Sequence, residues 1–377
     1  VKGGNMNHPR VSIIILNWNG WRDTVEALES LYQIKYPNYQ VVVVDNHSED
    51  DSIERILEYC DGSLEVESPF FRYDPNNKPV KVLEIEEEEL KNSEGKILDE
   101  TKIAFSSSLE AENNFEQVKN AISSKNPSSQ VKNHLVLIKN HENHGFAEGN
   151  NLGMRYALKN LNPDFLLLLN NDTVVDPYFL SELLNQVGNA GIAGSKIYFY
   201  HDRDLIQSLG FKIRWSRGEM VSVGYMSRDE SKSREGSKNY SNDLDAVSGC
   251  SMLIRRDVLD EIGLFNEKCF LYYEDTDICL RAKRAGFKIV CADRSKLWHK
   301  DSASSKKISG TREYYSARNL FLFMRKYAGK KEFYTFLIYF FAFKFWFTAV
   351  LILLYHRETS AFGSYVKGIS DGLNGMY

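Results

Sequence analysis

The sequence predicts an α/β protein built on a mainly parallel sheet flanked by helices. Continuously apolar, β-branched or leucine-rich runs recur: VSIIIL from Val11, VVVV from Val41, LVLI from Leu135 and FLLLL from Phe165. Such runs suit strands buried on both faces. Helical spacing follows the first two, so the chain opens strand, helix, strand, helix with short connections, the pattern of a parallel sheet. Polar residues cluster where these strands end: Asn17 and Asn19, Asp45 and Asn46, Asn140 to Asn143, and Asn170 to Asp172. In open α/β sheets ligands bind along that rim.

Val11 to Leu16 is the first strand and NWNG a loop. From Trp21 to Ile34, Val25, Leu28, Leu31 and Tyr32 share one helical face. Pro37 and Asn38 stop that helix, Val41 to Asn46 is the second strand, and Ser52 to Tyr59 is a helix. The pattern then lapses. Residues 62–133 contain EIEEEEL and two serine clusters, Ser106 to Ser108 and Ser123 to Ser129, with one alternating stretch at Val80 to Ile85. This reads as a polar surface insertion carrying a hairpin and a helix. Strand signals resume at Leu135 to Ile138 and Phe165 to Leu169, around a helix expected over Asn150 to Leu161. Short β-like runs span Gly194 to Gly224, and a charged loop covers Ser227 to Asn242. Ile278, Leu280 and Ala282 sit in a helix ended by Gly286, followed by a short strand at Ile289 to Ala292.

The C-terminal part changes character. Phe333 to Tyr355 carries one charge, Lys344, and 11 of its 23 residues are aromatic. As a helix it would be about 34 Å long, enough to cross a bilayer core. Its aromatic density favours the headgroup level, and Lys326, Lys330 and Lys331 stand just before it. Attachment to the membrane by an in-plane or re-entrant helix is therefore expected, against the plainer reading of a buried helix.

Composition narrows the function. The 377 residues are 43% hydrophobic and 26% charged, which is globular, and the length allows two or three domains. A net charge of −4 argues against a nucleic-acid binder. Five widely spaced cysteines without C-x-x-C argue against a disulfide framework or thiolate zinc site and fit a reducing cytosol. The start, VKGGNMNHPR, has no apolar core of a signal peptide. Walker, G-x-S-x-G and H-E-x-x-H motifs are absent.

The acidic motifs carry the chemistry. Asp172 ends FLLLLNND, where a carboxylate can share Mg²⁺ or Mn²⁺ with phosphate oxygens, although Asn and Asp also populate plain turns. Glu274, Asp275 and Asp277 open a helix. One such acid is explained by capping, whereas three after FLYY leave room for a general base. His299, in LWHKD, gains meaning as a metal ligand only beside Asp172. NHGFAEGNNLG places glycines where backbone can approach a ligand.

These segments together resemble family 2 inverting glycosyltransferases of the GT-A fold, a Rossmann-like nucleotide-diphospho-sugar transferase architecture, near the rhamnosyltransferase-like branch. The resemblance rests on VSIIILNWNGWRDTVEALESL, VVVVDNHSEDDS, NHGFAEGNNLGMRYAL with FLLLLNNDTVVDP, the long segment from AVSGCSMLIRRDVLDEIGLF to YYEDTDICLRAKRAGF, and TREYYSARN, in that order. It implies that Asp45 contacts the donor nucleoside, with Asn17 and Asn19 in the loop over it and Asn150 at base or ribose. Asn46, Gly145, Asn171 and Gly249 join this nucleotide-sugar site. Asp172 and His299 would hold the metal, Asp275 would be the general base and Glu274 its acceptor-binding neighbour. Asn170 replaces the first acid of D-x-D, and Asn46-His47 replaces a commoner Asp-Gly. No Q-x-x-R-W is present, so a processive synthase is not expected.

Resemblance and tail together lead to an expected catalytic domain over residues 1–310 and a membrane-associated helical region over 311–377. The expected partners are a UDP- or dTDP-linked sugar, a glycan or lipid-linked acceptor and membrane lipid at the cytoplasmic face. Self-association is left open. Nucleotidyl transfer is the rival chemistry, but NWNGWRDT lacks its Gly- and Arg-rich phosphate loop. A non-catalytic membrane scaffold is the other alternative, and intact Asp172, Asp275 and His299 argue against it.

Overall fold

The computed structural model describes residues 8–92, 134–229, 244–300 and 310–377. The expected Ser106–Ser108 and Ser123–Ser129 clusters, and most of the charged loop to Asn242, lie outside these. The chain runs β1 (Val11–Asn17), α1 (Trp21–Tyr32), β2 (Tyr39–Asp45), α2 (Ser52–Asp61), β3 (Lys81–Glu86), α3 (Glu87–Asn92), β4 (His134–Lys139) and α4 (Gly145–Tyr156). It continues through β5 (Phe165–Leu169), β6 (Thr173–Val175), α5 (Phe179–Val187), β7 (Ile192–Phe199), β8 (Asp202–Ser208), β9 (Phe211–Arg214) and β10 (Glu219–Ser222). Then come β11 (Ser251–Arg255), α6 (Arg256–Ile262), α7 (Glu274–Arg284), β12 (Ile289–His299) and α8 (Thr311–Tyr327). The helical run α9 (Lys330–Tyr355) and α10 (Thr359–Asn374) complete it.

The main sheet has the order β3-β4-β2-β1-β5-β11-β7-β12-β6, with β8 paired to β7. Neighbours from β3 to β5 are all parallel, and β11 enters antiparallel between β5 and β7. The two-residue repeat of the strands splits the core in two. Ile14, Val42, Val44, Val136, Leu166 and Leu168 face α4, α6 and α7. Ile13, Ile15, Val41, Val43, Leu137 and Leu167 face α1, α2 and α5. Each such buried side chain contributes about 1.5–3 kcal/mol of burial free energy. All five cysteines are free and buried.

Three expectations are corrected. The stretch at 62–133 is not wholly a surface excursion, and among the described residues its alternating piece forms no hairpin. Lys81–Glu86 is β3, an edge strand parallel to β4. Leu83 and Ile85 are buried there while Lys81 is exposed, the half-buried alternation an edge permits. The approach to β3 is anchored too, because Lys78 Nζ meets the buried Glu29 at 2.9 Å. Second, the helix expected from Asn150 begins at Gly145. Its glycines resemble a loop in sequence, yet a Cβ at Gly149 would lie 2.7 Å from Leu16 and one at Gly153 2.7 Å from Ile14, so they let α4 lie against β1. Third, the strand expected to stop at Ala292 continues to His299, through a register shift between Ala292 and Lys296.

The C-terminal helices pack as a third cluster. Phe321, Met324, Phe336, Phe340, Tyr365 and Ile369 are buried together with Ile213 and Leu280. α10 reaches the backbone of α8 because Gly372 has no side chain: a Cβ there would lie 2.6 Å from the Arg318 carbonyl oxygen.

Candidate active site

The strand ends meet a cleft of about 570 Å³ whose wall includes Trp18, Asn46, Gly145, Asn171, Asp172, Gly249, Glu274, Asp275 and His299. Asn17, Asn19, Asp45 and Asn150 do not line it. The Asn17 amide donates to Asp45 Oδ1 at 2.7 Å and to Ser48 Oγ at 3.1 Å. Asp45 also accepts from the Ser48 backbone and hydroxyl, and Asn17 accepts from Thr24. Asn19, with φ of 50°, accepts from the backbone of Glu49 and Asp50. Asn150 donates to the Phe146 carbonyl at 2.8 Å. These four hold the turns at the ends of β1 and β2 and the first turn of α4. Asn46 bridges strand ends, donating to Asn143 and the Gly145 carbonyl and accepting from Asn140 and the His144 backbone.

Asp172 and His299 come together through strand pairing. His299 lies opposite Thr173 in the β12–β6 ladder, and Lys300 N–H donates to the Asp172 carbonyl at 3.0 Å. The imidazole Nε2 is 3.1 Å from Asp172 Oδ1, and Nδ1 contacts Gln207 at 2.8 Å. Burial opposes charge on both residues, but their mutual contact outweighs it for Asp172, whose carboxyl is lowered. Contacts to Cys250 and Asp172 likewise raise His299 well above the ordinary imidazole range. A buried carboxylate just before β6 and an imidazole at the end of β12 fit a divalent cation. No group of three metal-ligating side chains gathers among the described residues, so the other ligands would be phosphate oxygens and water, as hard cations commonly take.

The second acidic pair starts α7. Asp275 is partly exposed to the cleft, and its Oδ2 accepts from Gly249 N–H at 3.1 Å while Oδ1 accepts from Thr276. Gly249 adjoins Cys250, whose carbonyl receives the Asn170 N–H at 3.0 Å, so the two acidic motifs sit across one backbone segment. Burial pushes the Asp275 carboxyl up despite these hydrogen bonds. Glu274 is pushed well up, first by burial and then by the neighbouring Asp275. Its Oε2 is buried without a hydrogen-bond partner among the described residues. Asp277 points away, held by Lys326, Tyr327 and Arg281. Burial alone would raise its carboxyl, but these three partners lower it.

The loop entering α7 carries positive φ at Phe270 (58°), Tyr272 (69°) and Tyr273 (71°). Bulky residues there cost about 1–3 kcal/mol each, and such strain clusters at functional sites. Sequence reasoning missed Trp18, Phe146, Arg312 and Tyr315 in the wall, and Gln207 behind His299. Trp18 had a signal, since it lies between two chosen asparagines. Gln207 had none, because β8 reaches His299 only through tertiary pairing.

Comparison with known proteins agrees with this architecture. Residues 108–316, more than half the chain, match the family described as glycosyltransferase like family 2, and residues 12–83 match glycosyl transferase family 2. The chain belongs to this family. It is 28% identical over 187 residues to the low-salt glycan biosynthesis hexosyltransferase Agl10 of Haloferax volcanii, covering 48% of this chain and 57% of that protein. It is 27% identical over 205 residues to the dTDP-rhamnosyl transferase RfbF of Shigella flexneri, covering 52% of this chain and 64% of the relative. The chain thus spans less than two thirds of either. A solved structure of GalNAc-T7 with UDP, GalNAc and Mn²⁺ superposes with a TM-score of 0.50 at 14% identity, covering 85% of this chain and 48% of that one. That likeness supports the GT-A fold.

Proposed function

We propose that the protein transfers a sugar from a nucleoside diphosphate, UDP- or dTDP-linked, to a hydroxyl of a glycan or lipid-linked acceptor, with inversion. The observation that carries this reading is one cleft holding two acidic groups with separate tasks: the Asp172–His299 pair and the Glu274–Asp275 pair. Asp275 takes the proton from the acceptor hydroxyl, and a carboxyl raised by burial suits that task near neutral pH. The freed oxygen attacks the anomeric carbon from the face opposite the leaving diphosphate, which inverts the configuration. Glu274, with one buried oxygen unpartnered, accepts from another acceptor hydroxyl. Mg²⁺ or Mn²⁺ held by Asp172 and His299 would neutralise charge on the leaving diphosphate. Asn46, Gly145, Asn171 and Gly249 line the donor side, while Asn17, Asn19, Asp45 and Asn150 hold its loops in shape.

In this reading residues 1–310 form the catalytic domain and residues 311–377 attach it to the cytoplasmic face of the membrane. α9 is long and apolar enough to cross a bilayer, yet only 17% of its apolar window is buried against the protein. Tyr334, Ile338, Phe343, Trp346, Phe347 and Leu354 are exposed. Their aromatic share and the basic stretch from Arg325 to Lys331 favour a helix lying in the headgroup region. The test is a thermal-shift panel of nucleotide sugars with Mn²⁺. A ligand at about 100 times its dissociation constant should add about 2.7 kcal/mol. Absence of any shift across UDP- and dTDP-sugars contradicts the reading.

A further inference from the structure

The loop from Lys268 to Tyr273 delivers Glu274 and Asp275 to the cleft, and three of its aromatic or bulky residues hold positive φ. A chain with no glycine there does not keep that shape by local preference. It is kept by bonds from outside the loop. The Asn319 side-chain amide, 2% exposed on α8, donates to the carbonyls of Cys269 at 2.8 Å, Leu271 at 2.8 Å and Tyr272 at 3.0 Å. Arg318, also buried, donates to the carbonyls of Lys268 at 2.6 Å and Cys269 at 3.2 Å, and to Asn319 Oδ1 at 2.9 Å. The remaining carbonyl, Phe270, accepts from the first-turn amides of α4, Phe146 at 2.7 Å and Ala147 at 3.2 Å. Every carbonyl from 268 to 272 is thereby held by another element. Ring contacts add to this, with Phe270 stacked on Tyr315 at 4.7 Å and Tyr273 against Phe323 at 5.2 Å.

We infer that Asn319 is a positioning residue for the proposed base: its amide clamps the strained loop and so sets where the Asp275 carboxylate stands in the cleft. The inference rests on the reading of Asp275 as the base. Two amide hydrogens shared among three carbonyls that curl around them fix a turn more tightly than packing alone. Helix α8 in turn is seated by α10 at Gly372 and by the Phe321 cluster, so the clamp has a rigid support. Asn319 does not itself line the cleft, and its effect must travel through the loop.

The test compares Asn319→Leu, which removes the amide at similar volume, and Asn319→Ser, which keeps one donor. The assay is nucleoside diphosphate release from a panel containing dTDP-rhamnose and UDP-linked hexoses, with a membrane lipid extract as acceptor. Displacing a reacting group by about 1 Å costs on the order of 100-fold in rate. Asn319→Leu should therefore lose about 100-fold in kcat with the donor KM within about twofold of wild type, and Asn319→Ser should lose less. Wild-type kcat in either folded variant overturns the inference. So does a parallel loss of kcat and of the UDP–Mn²⁺ thermal shift, which marks a general structural role. Asp275→Asn is measured alongside. If it is inactive while Asn319→Leu or Asn319→Ser turns over normally, the clamp alone fails. If Asp275→Asn retains turnover, the base assignment fails and the clamp with it.

Discussion

Asp275 carries two demands that pull in opposite directions. Its carboxyl is raised by burial, so the ionisation that the proposed base role requires disfavours the folded state. The unfolded chain releases this proton first, so stability falls as pH rises from the ordinary Asp value to the raised one and is level above it. Asp275→Asn should therefore match or exceed the wild-type melting temperature at pH 7, keep donor binding, and lose transfer about 10²–10⁴-fold. A scanning calorimeter and a transfer assay check both halves. Wild-type turnover should also fall as pH drops through the raised Asp275 value. Asp172→Ala and His299→Ala should each weaken metal-dependent donor binding, and the double variant should lose less than the sum of the singles. Strict additivity would mean that the pair shares no ion. Of this site, the acidic motifs were legible because strand ends and helix starts are local signals. The inward network of Asn17 and Asp45 was not, because sequence marks a polar rim without saying which amide turns to a neighbour and which to the cleft.

Edge elements are where local pattern gives least. β3 alternates, and alternation was visible in KVLEIE, but its burial comes from β4 across a long stretch of chain. Replacing Ser63 to Lys132 with a Gly/Ser linker would have been harmless for a surface excursion. With β3 inside that range, it should abolish soluble folding. A milder probe is Ile85→Ala, expected to cost about 2–5 kcal/mol in chemical denaturation, whereas a cost near zero would return β3 to the surface. Glu29 gives a pH signature of the same region. Burial alone would raise its carboxyl, but the Asp74 backbone, Lys78 and Gln33 outweigh it and lower it. Its stabilisation is present above the ordinary Glu range and is lost as pH falls through the lowered value, and Glu29→Gln should flatten that acid loss. The glycines of α4 show the converse problem, since residues that weaken a helix locally are the ones that let it lie on β1.

At the scale of the molecule, the apolar run of α9 presents two different sides. Phe336 and Phe340 turn inward onto Phe321, while Phe343, Trp346 and Phe347 face out. The sequence displayed the apolar run but not this division, because the run is hydrophobic on nearly all sides. The division also changes how attachment is tested. Deleting residues 333–377 would uncover buried Phe321 and Met324, so substitution of the outer face is the cleaner probe. Phe343→Ser with Trp346→Ser and Phe347→Ser should leave the fold intact and abolish binding to vesicles containing anionic phospholipid, measured by flotation. Retained flotation would place attachment elsewhere. Sugar transfer with Asp275 as the proposed base comes down to one measurement. It is acceptor-dependent nucleoside diphosphate release, over a nucleotide-sugar panel, by wild-type protein and Asp275→Asn side by side. The wild type should release nucleoside diphosphate with at least one UDP- or dTDP-sugar, and the variant should lose about 10²–10⁴-fold at unchanged donor affinity. Equal turnover by the two proteins would contradict the base assignment.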